Sequence, residues 1–311
     1  MSSGNVLFLI MLILGPLVSI STSNWVICWV GLELSFLGAI PLLFSDSSFS
    51  SLSKESAMKY FCIQALASAL LMLGGILLFV GFTTFWTFFF IFITSLFMKL
   101  GIFPMHFWVP SVVSGLNWMP MFVLLGWQKI APLAFISNFS ENFDWFCVFI
   151  LMFGGLSAVV GSVIGINQTS FRAMLGSSSI SHTGWACFGS VFGSLWTYFF
   201  IYCLSFFFLM LFCFLMNDLM IGMTVLSLSG LPPFTMFIGK WSILKSALVC
   251  HLWYMYLILP ILGALLSLFF YLKFFYSYYL KFILESHQKK YSLVLSIMFL
   301  FYSGVTFILF F

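Results

Sequence analysis

The chain has 311 residues, of which 63% are hydrophobic and only 6% are charged, whereas an ordinary soluble domain carries about 25% charged residues. No soluble core could hide so much apolar surface, so most of the chain must lie in lipid with its backbone groups paired inside helices. The net charge of +4 is spread without a basic cluster, and we therefore expect no nucleic-acid partner.

The cysteines and glycines give no sign of a bound cofactor. Seven cysteines lie scattered in apolar runs without C-x-x-C spacing, which is typical of small core residues and not of an iron–sulfur or zinc site. The sequence also lacks the glycine-rich motifs of nucleotide-binding loops. We therefore expect that this chain by itself binds neither metal nor nucleotide.

Hydropathy predicts an all-α polytopic membrane protein. The N-terminal stretch lacks the basic region and cleavage site of a signal peptide and the arginine-rich character of a mitochondrial presequence, so we interpret it as a first span. Windows of about 20 apolar residues predict eleven spans, near residues 5–20, 24–44, 58–81, 84–106, 116–137, 145–166, 171–190, 195–217, 220–248, 253–276 and 291–311.

The basic residues predict an orientation for these spans. The loops that follow odd-numbered spans share one side of the membrane, and the basic residue on that side is Lys245. The N-terminal side holds the larger group, Lys54, Lys59, Arg172, Lys281, Lys289 and Lys290. Because cytoplasmic or matrix loops carry the excess of lysine and arginine, we expect the N-terminus in the matrix or cytoplasm and the C-terminus on the opposite side.

Two spans contain helix-breaking residues. Gly101 and Pro104 follow Lys99 in the fourth span, and Gly230 with two prolines precedes Lys240 in the ninth, where the chain cannot continue a regular helix. Each broken span is the fourth of five.

That arrangement predicts two inverted five-helix repeats, because a unit of five helices has odd parity and its second copy must insert upside down. The predicted organisation is a single membrane domain, 1–311, with repeats at 1–137 and 145–276 and a C-terminal helix at 291–311.

Four ionisable residues lie inside predicted spans, Glu33 and Lys129 near the middle of the membrane and Lys99 and Lys240 beside the helix breaks. A charge at the bilayer centre costs about 2.5–3.5 kcal/mol, so four of them oppose folding by roughly 10–14 kcal/mol. Burial favours a neutral amine and a nearby carboxylate favours the charged one, so such lysines can take and release protons. The structural alternatives are lysines that reach the membrane surface, or a Glu33–lysine pair that only stabilises the fold.

Further candidates for a proton relay lie near these charges. His106 follows the break in the fourth span, and His182 lies in the polar seventh span with Ser178 and Ser181. The alternatives are histidines held by packing and serines that bond the preceding helical turn. Lys129 is expected in an unbroken helix, between Lys99 and Lys240 in the relay.

The motifs resemble a known family. The stretches WVGLELSFLGAIPLL, MKLGIFPMHFWVPSVVSGLNW, WQKIAPL, GSVIGINQTSFRAMLGSSSISHTGW and LSLSGLPPFTMFIGKW are similar to subunit 2 of mitochondrial NADH:ubiquinone oxidoreductase, respiratory complex I, in its animal form. The resemblance implies an antiporter-like fold of two inverted repeats, and a form that lacks three of the fourteen spans of the bacterial subunits.

The same resemblance assigns roles and partners. Glu33 in GLELS matches the family's intramembrane glutamate, and Lys99, Lys129 and Lys240 match its three lysines. It implies a catalytic proton-translocating row in the mitochondrial inner membrane, with other membrane-arm subunits as partners and membrane lipids, cardiolipin being a candidate. NADH, FMN, iron–sulfur clusters and ubiquinone would then be bound by other subunits.

Two other functions remain open from the sequence. One is a free-standing cation/proton antiporter of related fold, which would work without NADH. The other is a structural spacer in the membrane arm that does not pump, against which the presence of all four ionisable residues argues.

Overall fold

A computed structural model describes residues 3–44, 51–79, 85–232, 234–250 and 254–284. Across these ranges the chain forms α-helices joined by turns, two short 3-10 helices and no strand. The predicted all-α class is thus confirmed. The predicted span at 291–311 lies outside the described residues.

Contacts between residues divide the chain into two units, unit 1 at Met1–Asn142 and unit 2 at Phe143–Phe311. The helices of unit 1 are α1 Ser3–Ser21, α2 Trp25–Phe44, α3 Ser51–Phe79, α4 Phe85–Leu100, α5 Trp108–Gly115, α6 Trp118–Leu125 and α7 Ile130–Asn142. Those of unit 2 are α8 Asp144–Asn167, α9 Phe171–Phe192, α10 Leu195–Phe214, α11 Asp218–Ser229, α12 Thr235–Cys250 and α13 Ile258–Leu284.

In the described residues, six helical stretches are long and apolar enough to cross a membrane. They are Trp25–Phe44, Leu52–Leu78, Trp118–Asn142, Asp144–Asn167, Leu195–Phe214 and Met255–Ile283. Shorter apolar helices lie at Val6–Ser21, Trp86–Leu100 and Asp218–Ser229. The fourth and ninth predicted spans are each interrupted where the sequence predicts it, between α4 and α5 and between α11 and α12.

Small residues bring the helices of unit 1 together. A Cβ atom on Gly31 of α2 would lie 2.7 Å from the Gly15 carbonyl oxygen of α1, and one on Gly38 would lie 2.6 Å from the Leu12 nitrogen. In lipid, helices associate through such close backbone approach, because lipid is as apolar as the side chains. The first two helices are therefore tightly packed along their length.

Unit 2 is built around α9. Neighbouring helices bury α9 on all sides, and every residue from Ala173 to Ser190 is buried. Its packing on α8 depends on glycine, since a Cβ atom on Gly184 would lie 2.5 Å from the Gly154 carbonyl oxygen. This protected position explains how a helix with five serines and a histidine exists in a lipid-embedded chain.

Candidate functional site

The helix break beside Lys99 is closed by side chains. Helix α4 ends at Leu100 because Gly101 turns to the left-handed region, at φ +71°, and a Cβ atom there would also collide with Val109. The Trp108 indole donates to the Met98 carbonyl at 3.0 Å, and the Gln64 amide donates to the Lys99 carbonyl at 3.5 Å. Carbonyls at the end of α4 thus find partners without water.

Glu33 and Lys99 form an ion pair in unit 1. The Lys99 Nζ lies 3.6 Å from the Glu33 Oε1, and the two side chains are 5% and 20% exposed. The Glu33 Oε1 has no hydrogen-bond partner among the described residues, so the lysine is the group that compensates its charge. Glu33 and Lys99 are therefore close enough to interact.

Lys99 and Lys129 line one cavity with four polar side chains, Ser35, Tyr60, Gln64 and Gln128. The space open to the centre of a water molecule is about 20 Å³. This is enough for about one water, given the roughly 10–15 Å³ that a single water needs. Unit 1 therefore gathers two buried amines, polar side chains and room for water in one place.

The expectation that Lys129 lies in an unbroken helix is wrong. Helix α6 ends at Leu125, and Trp127–Lys129 form a 3-10 turn before α7 begins at Ile130. Pro132 contributes to the break, because it has no N–H to bond the Gln128 carbonyl one turn earlier. Lys129 thus lies in a tight turn inside the stretch Trp118–Asn142, and its side chain is buried.

The two residues before Lys129 anchor this turn. The Trp127 indole donates to the Leu12 carbonyl of α1 at 2.8 Å. The Gln128 amide donates to the Ser35 carbonyl of α2 at 2.9 Å, and the Ser35 hydroxyl donates back to the Gln128 Oε1 at 3.3 Å. Sequence reasoning missed these anchors, although the amide of Gln128 inside an apolar stretch was a usable signal.

In unit 2, Lys240 reaches the end of a broken helix. Helix α11 ends at Ser229 because Gly230 is left-handed, at φ +77°. The Lys240 Nζ donates to the Ser229 carbonyl at 2.7 Å and lies 5.8 Å from the centre of the Trp185 ring. A freed carbonyl and an aromatic face thus both stabilise the ammonium.

His182 lies between two tyrosines. Its Nδ1 is 2.8 Å from the Tyr198 hydroxyl of α10 and its Nε2 is 3.1 Å from the Tyr271 hydroxyl of α13. Ser178 and Ser181 donate to carbonyls of the preceding turn, at 2.8 and 2.7 Å. The sequence indicated His182 and the serines but gave no reason to select these two tyrosines among eleven.

His106 is separate from the lysine cavity. It is buried, its Nδ1 lies 3.1 Å from the Pro104 carbonyl, and the rings of Phe103 and Phe107 flank it. It does not line the cavity of Lys99 and Lys129. A packing role explains these contacts, and its part in a relay stays a prediction.

Metal binding has no geometric support in the part of the chain that is described. No three His, Cys, Asp or Glu side chains there lie close enough together to hold an ion. The lysines, the carboxylate and the imidazole are groups that can themselves give and take protons. Glu33, Lys99 and Lys129 belong to unit 1, whereas Lys240 and His182 belong to unit 2, and a row that joins the two units stays a prediction.

The comparisons with known proteins decide the family. Residues 22–222 match the family model described as NADH:quinone oxidoreductase/Mrp antiporter, transmembrane. The chain belongs to this antiporter-like family. The match includes Glu33, Lys99, Lys129 and His182 and ends before Lys240.

Named relatives of this antiporter-like chain agree. It is 38% identical to NADH-ubiquinone oxidoreductase chain 2 of Albinaria caerulea, over 88% of this chain and 89% of the relative. It is also 38% identical to the chain of that name from Anopheles gambiae, over 89% and 86%. A chain of respiratory complex I from Thermus thermophilus with bound aureothin shares the fold, with a TM-score of 0.72 and 23% identity over 85% of this chain and 68% of that one.

Proposed function

We propose that the chain is a proton-translocating, antiporter-like subunit in the membrane arm of respiratory complex I, in the mitochondrial inner membrane. The observation that carries the proposal is the Glu33–Lys99 pair beside a cavity that Lys99 shares with Lys129. NADH oxidation and ubiquinone reduction occur in other subunits, which hold the cofactors. The partners of the chain are neighbouring membrane-arm subunits and lipid.

The pair and the cavity have the properties that proton transfer needs. With Glu33 at 3.6 Å, the Lys99 ammonium is stabilised, and separation of the pair would favour loss of its proton because the amine is otherwise desolvated. Lys129 can accept that proton, directly or through a water that the amide side chains around the cavity orient. An ion pair that opens and closes would thus control when Lys99 gives up its proton.

The proposed membrane arrangement has eleven spans, with the N-terminus in the matrix and the C-terminus in the intermembrane space. Six apolar stretches and three shorter apolar helices overlap nine of these spans. Two inverted five-helix repeats, 1–137 and 145–276, would each contain one broken helix, with Lys99 just before the break in the first repeat and Lys240 after the break in the second. The proton row would then continue from Lys129 to Lys240.

Lys129→Met tests the proposal, because methionine keeps the unbranched side chain and removes the titratable amine. We expect the rate of proton pumping by assembled complex I with this variant to fall about tenfold or more, because a positioned proton-transfer group is removed. Lys129→Arg should also fail, because arginine keeps its proton. The measurement is proton uptake and NADH:ubiquinone turnover in membrane vesicles, normalised to the complex on native gels.

Lys59→Met is the matched control. Lys59 lies on the exposed face of α3, 46% exposed and paired with Glu55, so the same substitution there removes a lysine outside the cavity. Pumping should remain normal in this variant. Normal pumping with both Lys129 variants would show that Lys129 is a structural charge and would contradict the proposal.

A further inference from the structure

In unit 2, His182, Tyr198 and Tyr271 form a buried hydrogen-bonded group, the His182 cluster. His182, Tyr198 and Tyr271 are each at most 4% exposed, and the imidazole faces one phenolic hydroxyl at each nitrogen. A buried neutral imidazole needs a partner at each nitrogen, and here both partners are hydroxyls, which can donate as well as accept. Two hydroxyls in line with the two nitrogens make a continuous hydrogen-bonded chain from α10 through α9 to α13.

This chain of groups has two proton arrangements. A neutral imidazole has one N–H donor and one acceptor nitrogen, and a tyrosine hydroxyl can donate or accept. When Nδ1 carries the proton, His182 donates to Tyr198 and accepts from Tyr271; in the other tautomer both bonds reverse. The cluster can therefore pass a proton along its length, because every member exchanges roles.

One end of the cluster lies near Lys240. Tyr198 packs against Gly239, the residue before Lys240. The Tyr198 Cδ2 atom lies 3.2 Å from where a Cβ atom on Gly239 would be. Trp185, which lies one turn of α9 after His182, presents its ring to the Lys240 ammonium. Tyr198 is thus the member of the cluster that leads to the lysine.

The other end leads towards the start of α9. Tyr271 interacts with Ser178, one turn of α9 before His182. Further along, Phe171 at the first turn of α9 packs against Phe274 and Tyr278 of α13. The two helices therefore run side by side from Tyr271 to the N-terminal end of α9.

We propose that Tyr198, His182 and Tyr271 form a proton relay between Lys240 and the N-terminal end of α9. The relay rests on the proposed proton translocation and adds a path within unit 2 that the four charged residues do not provide. By the predicted orientation, the start of α9 faces the matrix. The relay thus connects Lys240 to that side.

One passage moves one proton and no electrons. A proton arrives at the Tyr271 oxygen while the Tyr271 hydroxyl proton forms a bond to Nε2 of His182. The Nδ1–H bond breaks, its proton joins the Tyr198 oxygen, and the original Tyr198 hydroxyl proton leaves for the neutral Lys240 amine, directly or through water. Both tyrosines remain neutral, and His182 remains a neutral imidazole with its proton now on Nε2.

The test uses Tyr198→Phe and Tyr271→Phe, which keep the rings and remove the hydroxyls. Tyr202→Phe is the matched control, because Tyr202 is equally buried on α10 and its ring lies 4.9 Å from that of His182, whereas other groups occupy both imidazole nitrogens. Lys240→Met is included as the variant that removes the acceptor of the relay. Proton pumping and NADH:ubiquinone turnover are measured in H₂O and D₂O, per assembled complex.

We expect Tyr198→Phe and Tyr271→Phe each to lower pumping about tenfold and to increase the solvent isotope effect on turnover, because proton transfer becomes limiting. Tyr202→Phe should behave as the unaltered chain. A purely structural defect would lower the amount of assembled complex and leave the isotope effect unchanged.

The outcomes separate the relay from the proposed function. If Lys240→Met abolishes pumping while Tyr198→Phe and Tyr271→Phe match Tyr202→Phe, the relay is wrong and the proposed function stands. If pumping is normal in all of these variants, including Lys240→Met, both are contradicted. A loss with Lys240→Met and both hydroxyl variants, together with the increased isotope effect, supports the relay.

Discussion

Gln128 is the residue that connects the Lys129 turn to the α2 helix that carries Glu33. Its amide exchanges two hydrogen bonds with Ser35, at 2.9 and 3.3 Å, and Ser35 is two residues from Glu33 in the sequence. The buried amine of Lys129 therefore depends on a neutral side chain for its position. This makes Gln128 a positioning residue in our proposal.

Gln128→Leu should reduce proton pumping several-fold while complex I still assembles. Leucine keeps an apolar side chain in the turn but removes both hydrogen bonds to Ser35, each worth about 0.5–1.5 kcal/mol. Ser35→Ala is the milder comparison, because it removes only the longer bond. The measurement is pumping per NADH oxidised, and equal effects of the two variants would contradict this role.

At the residue scale, the sequence predicted the charged members of the site together with His182 and two serines, and it missed the two tyrosines and Gln128. Glu33, Lys99, Lys129 and Lys240 are conspicuous because a charge in lipid is costly. Tyrosine, by contrast, is common in membrane helices for its apolar ring, and the position of its hydroxyl depends on tertiary packing. Tyr198 and Tyr271 therefore became visible only in the structure.

The helix breaks show which features of an element can be predicted. Helices α4 and α11 end where clusters of glycine and proline in the sequence predicted the breaks. The 3-10 turn at Trp127–Lys129 was missed because Gly126 and Pro132 lie on opposite sides of it and the surrounding apolar stretch is continuous. A proline weakens the helix one turn before its own position, because the carbonyl four residues earlier has no N–H to accept from.

Gly230→Ala should impair the Lys240 site. An alanine at φ +77° is strained by about 1–2 kcal/mol, and its Cβ atom would lie 2.9 Å from both the Nζ and Cδ atoms of Lys240. We expect lower thermal stability of the assembled complex together with lower proton pumping, because the ammonium must leave the Ser229 carbonyl.

Gly193→Ala separates strain from displacement. Gly193 has nearly the same backbone angle, φ +79°, but a Cβ atom there meets nothing within 4 Å. This variant should lose a similar amount of stability and keep normal pumping. If both alanine variants pump normally, contact with Gly230 does not position Lys240.

At the scale of the whole molecule, composition alone predicted that the chain lies in lipid. With 6% charged residues a lipid environment was the single consistent choice, and the described helices agree. The number of spans was harder to predict, because short or polar helices such as α11 and α9 do not carry a full apolar stretch of their own. Their placement depends on neighbours, which hydropathy does not include.

The burial of α9 also has a consequence for biogenesis. A helix with Ser177, Ser178, Ser179, Ser181 and His182 at its centre should partition weakly from the translocation machinery into lipid. Helix α8, in contrast, is strongly apolar, and the connection between the two is residues 168–170. We therefore expect α9 to enter the bilayer as the second arm of a helical hairpin with α8.

An insertion assay with engineered glycosylation sites in microsomes measures this directly. The α8 segment alone should insert, α9 alone should remain largely outside, and the α8–α9 segment should insert both arms. Gly184→Leu should reduce insertion of the second arm, because the side chain would prevent the 2.5 Å approach to Gly154. Efficient insertion of α9 alone would show that it needs no companion, whereas the expected result makes co-insertion the condition for placing polar chemistry in the membrane.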